Sequence, residues 1–180
     1  KLNRALQNII EGKFDLPAAQ SLLDYNGAIS IPIPTQFVAS DHFKVDTSDT
    51  AAVKISYLGD NLKAWFGDKV EGTKSGASSL RYHTLTQDST DIPIIAELGG
   101  EDRAETTLAE IWLLMERQNN GESGHLLTNG YANIFYVRDA NGVLCAVLVL
   151  WCDVGWRVSA CSVEAPFGWR SGRQVFSRNA

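Results

Sequence analysis

Three cysteines, Cys145, Cys152 and Cys161, fall within 17 residues of one another. A thiol becomes a nucleophile when a base takes its proton, and His125, with Asp153 to orient it, is the nearest candidate along the chain. The spacing shows no local constellation of nucleophile, base and orienting group, so catalysis is not expected. Cys152 and Cys161 would approach each other if they lay on adjacent antiparallel strands, but three cysteines do not make a disulfide framework. They read as free thiols in a reducing compartment. There is no C-x-x-C pair, and His42, His83 and His125 stand far apart, so no metal site and no cofactor are expected. Glu97, Glu101 and Asp102, beside "LGG", read as a solvated turn and helix start rather than a paired-carboxylate site.

The chain that must position these groups has 180 residues, enough for one domain with a substantial core. Hydrophobic residues make up 44% and charged residues 21%, an ordinary globular composition. A formal net charge of −5 disfavours non-specific binding of nucleic acid. No apolar run approaches the roughly 20 residues of a membrane helix. The lack of a recognisable signal peptide favours the cytoplasm, with display at the cell surface as the alternative.

"LNRALQNII" places Leu2, Ala5, Leu6, Ile9 and Ile10 on one helical face. "FDLPAAQSLLDYNG" predicts a second helix capped by Asp15, with Pro17 in its first turn and Gly27 at its end. These form a helical extension over 1–30, followed by one domain over 31–180. "AISIPIPTQFVASDHF" is an extended, proline-broken connector with an edge strand. From Thr50 the spacing of Ile55, Leu58, Leu62 and Trp65 predicts a helix that carries Gly59 at some cost. "GDKVEGTKSGASS" reads as a surface loop and "LRYHTL" as a strand, and "IPIIAELGG" is a short apolar run. In "AETTLAEIWLLMERQNNG", Thr107 and Glu110 have capping-box spacing, Leu108, Ile111, Trp112 and Met115 form a stripe, and Gly121 closes the helix.

Beyond "ESGHLLTNG" the period changes from 3.6 to 2. "NIFYVRD", "VLCAVLVLW" and "WRVSACSVE" are strands joined by "ANG" and "CDVG", an antiparallel meander. "APFGWRSGRQVFSRNA" is a long loop with a short final strand around Val175 and Phe176. With helices first and sheet last, the class is α+β. Alternation puts Val147, Val149 and Trp151 with Trp156, Val158 and Ala160 on a core face. Leu148, Leu150, Cys152, Arg157, Ser159 and Cys161 fall on the opposite face and follow no packing logic. A strand buried on both faces explains "VLVLW" but not Arg157 or Ser159, and a half-exposed surface strand is the plainer explanation of the mixture.

"NGYANIFYVRDANG", the frame "GW-x-V-x-A-x-SVE-x-P-x-x-W-x-x-G" and the terminal "VFSRN" resemble the variable proteins of diversity-generating retroelements. The resemblance is carried by about the last 50 residues. In that family a reverse transcriptase copies a template repeat into the gene and mutates adenines, so that AAC-type codons scatter into many residue types. The resemblance implies a C-type-lectin-like fold with a variable region at about 145–175 and a ligand-binding surface there. The implied variable positions are Leu148, Leu150, Cys152, Val154, Arg157, Ser159, Cys161, Ala165, Phe167, Gly168, Arg170, Ser171 and Arg173. Trp151, Trp156 and Trp169 are the implied scaffold, because the tryptophan codon carries no adenine.

Randomising the first two bases of an AAC codon never yields Lys, Glu, Gln, Met or Trp. None of these five types occurs among the thirteen positions. If they make up about a fifth of average usage, chance produces that result roughly one time in twenty. The resemblance therefore implies non-catalytic binding of varied macromolecular ligands, chiefly proteins, with Leu148, Leu150, Arg157 and Phe167 as the strongest anchors. Two other functions compete. One is an assembly protein with a fixed partner. The other is a nucleic-acid module using the C-terminal face, where four arginines oppose Asp153 and Glu164. That excess is small in an acidic chain, so nucleic acid is the less expected partner.

Overall fold

The computed structural model describes residues 20–72, 76–165 and 167–179. Nine strands and five short helices appear among them. In chain order they are β1 (Leu23–Ile33), β2 (Gln36–Val38), α1 (Ala39–His42), β3 (Ile55–Leu58), α2 (Asp60–Phe66), β4 (Val70–Gly72), β5 (Gly76–Leu85), α3 (Asp91–Glu97), α4 (Glu101–Ala104), α5 (Leu108–Glu116), β6 (Asn133–Arg138), β7 (Leu144–Cys152), β8 (Gly155–Ser162) and β9 (Gln174–Arg178). Seven strands form one sheet in the order β1-β5-β9-β6-β7-β8-β3, and β2 pairs with β4 apart from it. The sheet is antiparallel except at β3–β8 and β6–β9, which run parallel. The class is mixed α and β, as expected, but helices and strands interleave rather than following one another.

Several local expectations are corrected. The predicted helix over Leu2–Ile10 lies outside the described residues, as do Asp15 and Pro17. The end of the second predicted helix is instead β1, paired with β5 over Leu23–Ile33 and bulged between Tyr25 and Gly27. The sheet therefore begins before the expected boundary at 30. β1 is the edge strand that "AISIPIP" suggested, with Ile29 and Ile31 buried and Pro32 exposed.

The helix expected from Thr50 is a strand followed by a helix. Ile55 and Leu58 belong to β3, Gly59 donates its N–H to the Val158 carbonyl at 2.9 Å, and only then does α2 begin, burying Leu62 and Phe66. A run of apolar residues spaced three and four apart crosses a strand–helix junction here and imitates one helix. The segment read as a loop over 67–79 contains β4 and the start of β5. Ala77, Ser78 and Ser79 carry little strand propensity, but the backbone ladder to β1 fixes them, a case of tertiary context overriding local preference.

The core lies on both faces of the sheet. On the first face Phe176 of β9 stacks on Phe135 of β6, with ring centroids 4.4 Å apart. Leu108, Ile111, Leu114 and Met115 of α5 close over this face. The expected capping box holds α5: Glu110 donates its backbone N–H to the Thr107 hydroxyl at 3.2 Å, and Thr107 returns its N–H to the Glu110 carboxylate at 2.7 Å. Glu71 of β4 accepts from the N–H groups of Leu108 and Ala109, so a second carboxylate sits at the same helix start. On the second face Ile94 and Ile95 of α3 and Ala104 of α4 pack on Leu85, Ile134, Tyr136, Ala146 and Val175. This cover extends over only part of the face.

Candidate functional site

The hairpin β7–β8 sorts its residues as the alternation predicts. Val147, Val149, Trp156, Val158 and Ala160 are buried in the first-face core, from 0% to 6% exposed. Trp151 is half-buried at the edge of that core, edge-on to Trp156 at 5.2 Å. The tight turn before β7 is built by Asp139, whose carboxylate accepts from the N–H groups of Asn141 and Val143. Asn133 is buried within its own network, donating to the carbonyls of Leu127 and Val149 and accepting from the Leu127 N–H.

On the second face the partially covered sheet divides in two. Leu144 and Ala146 lie under α3 and its neighbours, whereas Leu148, Leu150 and Cys152 are only half-buried. Across the ladder Leu148 faces Ser159, and Leu150 faces Arg157. The Arg157 guanidinium stands 4.8 Å above the ring of Tyr57 on β3, an exposed tyrosine. Together these side chains make a mixed apolar and basic surface at the β3 end of the sheet. Val154, at the hairpin tip, is 64% exposed.

The second group of predicted positions lies in the loop between β8 and β9. Phe167 is 64% exposed, and Gly168, Arg170 and Ser171 are also exposed, while Ala165 and Arg173 are half-buried. The loop is nonetheless tied down. The backbones of Trp169 and Ser89 exchange two hydrogen bonds, of 2.6 and 2.9 Å. Ser171 donates its N–H to the Asp88 carboxylate, Gly172 to the Leu85 carbonyl, and Arg173 lies 4.4 Å over the Tyr131 ring. Trp169 packs on the second-face core and donates its indole N–H to Asp91 at 2.7 Å, while the Tyr136 hydroxyl donates to the same oxygen at 2.8 Å. Burial raises the Asp91 carboxyl above its ordinary range, and these two donors oppose that shift.

Cys161 differs from its fellow candidates. It faces Ala146 in the ladder and packs against the second-face core, and burial followed by the nearby Asp91 charge pushes its thiol up to about 11. Cys145 is buried on the other face, and its thiol is pushed up to about 11, first by burial. Cys152 sits opposite Gly155, six residues along β7 from the partner of Cys161, which is about 20 Å in an extended strand. All three cysteines are free.

His125 stands edge-on to Tyr82 at 5.6 Å, on the first-face side, whereas Cys152 and Cys161 point to the second face. The sheet separates the thiols from the base considered for them. Of the acidic trio, Glu97 accepts from the N–H groups of Leu22 and Leu23, and Glu101 pairs with Arg138 at 2.9 Å. Among the described residues no group of three or more His, Cys, Asp or Glu could hold a metal ion, and no helix is long and apolar enough to cross a membrane.

Sequence reasoning missed Tyr57, Ser89, Asp91 and Tyr131, which complete this surface. Tyr57 was concealed in a segment with helical spacing. Asp91 had a usable signal: an acidic residue with Pro93 two places on, ahead of an apolar run, is a helix-start pattern. Comparison with protein-family models, with curated proteins and with solved structures gives no match.

Proposed function

We propose that this chain is a non-catalytic ligand-binding protein, built on a C-type-lectin-like scaffold, whose C-terminal surface is diversified by a retroelement. The observation that carries this reading is the division of β7 and β8. Val147, Val149, Trp156, Val158 and Ala160 are buried to within a few per cent, while the residues that alternate with them, Leu148, Leu150, Cys152, Arg157 and Ser159, share one incompletely covered face. Side chains there can change without disturbing the core, so recognition and stability are decoupled. The loop bearing Phe167, Arg170 and Ser171 has the same character, because backbone hydrogen bonds and Trp169 hold it while its own side chains face outward. The ligand is a protein surface, engaged through Phe167, the two leucines and Arg157. The protein acts in the cytoplasm or, displayed, at the cell surface.

The test is to sequence the gene from many cells of one population. Substitutions are expected at the thirteen positions alone, with a near-copy repeat close by carrying adenines at those codons. Substitutions spread evenly along the gene, with no such repeat, would overturn the reading.

A further inference from the structure

At the other end of the second face, away from β7 and β8, a cleft of about 330 Å³ opens between β1, β5, β9 and the α3–α4 corner. Its charged lining is unbalanced. Arg81, Arg103, Arg178 and His83 border it, and Glu97 is its one carboxylate among the described residues. That carboxylate is already engaged, accepting from the N–H groups of Leu22 at 2.8 Å and Leu23 at 3.0 Å and from the Ser21 hydroxyl. Among the described residues the cations have no comparable set of acceptors. Arg81 Nε and His83 Nδ1 are shut off from solvent, and neither has a hydrogen-bond partner among the described residues. Buried polar atoms are rarely left this way, and an absent ligand is one standard reason.

The aromatic wall sharpens the geometry. The Arg81 guanidinium lies over the Tyr25 ring, 4.8 Å from its centroid, and the His83 ring stands tilted at 56° to the same tyrosine, 5.6 Å away. Stacking through its face leaves the edge of a guanidinium, where its N–H groups lie, free to donate. Leu23 and Leu98 add apolar wall beside this edge.

We propose that this cleft binds a small organic molecule through a tetrahedral oxyanion, a phosphoryl or sulfuryl group, held by Arg81, His83 and Arg103. The planar guanidinium suits such a group because it donates two parallel hydrogen bonds to adjacent oxygens. The hydroxyl of Ser177 lines the same cleft and supplies a neutral donor, and the remaining volume beside Tyr25 and Leu23 takes the organic part. Burial, and then the Arg81 charge, depress the His83 pKa in the unliganded protein, while the Val175 carbonyl and Glu97 oppose that shift. A bound anion adds to the opposing influences and returns the proton to the ring. The site is independent of the diversified-surface reading, and neither needs the other.

The test uses the full chain, titrated separately with inorganic phosphate and inorganic sulfate at matched ionic strength. The imidazole resonances are followed by NMR, with His42 and His125 as internal references. A saturable response of His83 with a rise in its pKa is expected, at concentrations up to ~10 mM. Arg81→Gln should weaken the midpoint about tenfold or more. Arg103→Gln, at an exposed position that leaves the fold alone, should weaken it in the same direction. A tighter midpoint for phosphate assigns a phosphoryl ligand, and a tighter one for sulfate assigns a sulfuryl ligand. Equal midpoints support recognition of the tetrahedral oxyanion whatever its central atom. No saturable His83 response to either ion, or an unchanged response in both variants, overturns the proposal.

Discussion

Trp169 donates its indole N–H to Asp91 at 2.7 Å, and this bond joins the loop after β8 to the first residue of α3. It anchors the Trp169 side chain in the second-face core, beside Tyr136, whose hydroxyl uses the same carboxylate oxygen. A carboxylate that is buried but receives two donors is stabilising or costly according to its protonation, so its titration reports on the whole junction.

The Asp91 carboxyl is raised above 3.8, chiefly by burial. The folded protein therefore holds this proton more tightly than the unfolded chain does. The resulting stabilisation is fully present below 3.8 and is lost as pH rises through the raised folded value. Asp91→Asn, which cannot ionise, is expected to gain on the wild type as pH rises from about 4 to about 7. Urea unfolding of both proteins across that range checks it. A difference that stays constant with pH would contradict the assignment.

Phe167, within the loop, and Phe176, in the strand that follows it, make a paired test. Phe176 is fully buried between Tyr82 and Phe135, while Phe167 is 64% exposed. Phe176→Ala should cost about 3–5 kcal/mol. Phe167→Ala should change stability by no more than about 0.5 kcal/mol. Denaturant midpoints for the two variants measure both, and similar losses would mean that the loop is part of the packed core.

Gly121 follows α5 with φ +71°, and a Cβ added there would run into the Trp151 indole. Gly121→Ala therefore combines left-handed backbone strain with a clash against a ring edge. A loss of about 2–3 kcal/mol is expected, together with a changed Trp151 fluorescence signal. Trp151→Leu, which withdraws the ring, should restore part of the loss in the double variant, and strict additivity would argue against the contact.

The cysteines should separate by reactivity. With their thiols pushed up to about 11, Cys145 and Cys161 hold about one thiolate in a thousand at pH 8. Alkylation of the native protein is expected to modify Cys152 first, followed by the other two only on unfolding. Mass spectrometry after timed quenching reads the order, and early modification of Cys161 would show that its cover under the second-face core opens readily.

Much of the C-terminal half was legible because its signals are local. The β6–β8 meander follows from period-2 alternation and the Asp139 turn, and α5 from its capping box. The two faces of β7 and β8 follow from the same alternation. Other features depend on partners distant in the chain. Ala77, Ser78 and Ser79 gain strand structure only from β1, and Ile55 and Leu58 lose a helical appearance only because β8 lies beside them. How far α3 and Trp169 cover the second face decides that Cys161 is partly buried and Leu150 more open, and no residue near either one records that.

β9 has a consequence for synthesis. It emerges after the loop, yet it fills the slot between β5 and β6, two strands made much earlier. A chain arrested before residue 174 holds two half-sheets whose unpaired edges face each other, a form prone to association and to capture by proteases. The ribosome must therefore carry the chain through the whole loop before the sheet can close. Closure therefore waits on the last strand, because only a chain extended to Arg178 can hide those edges.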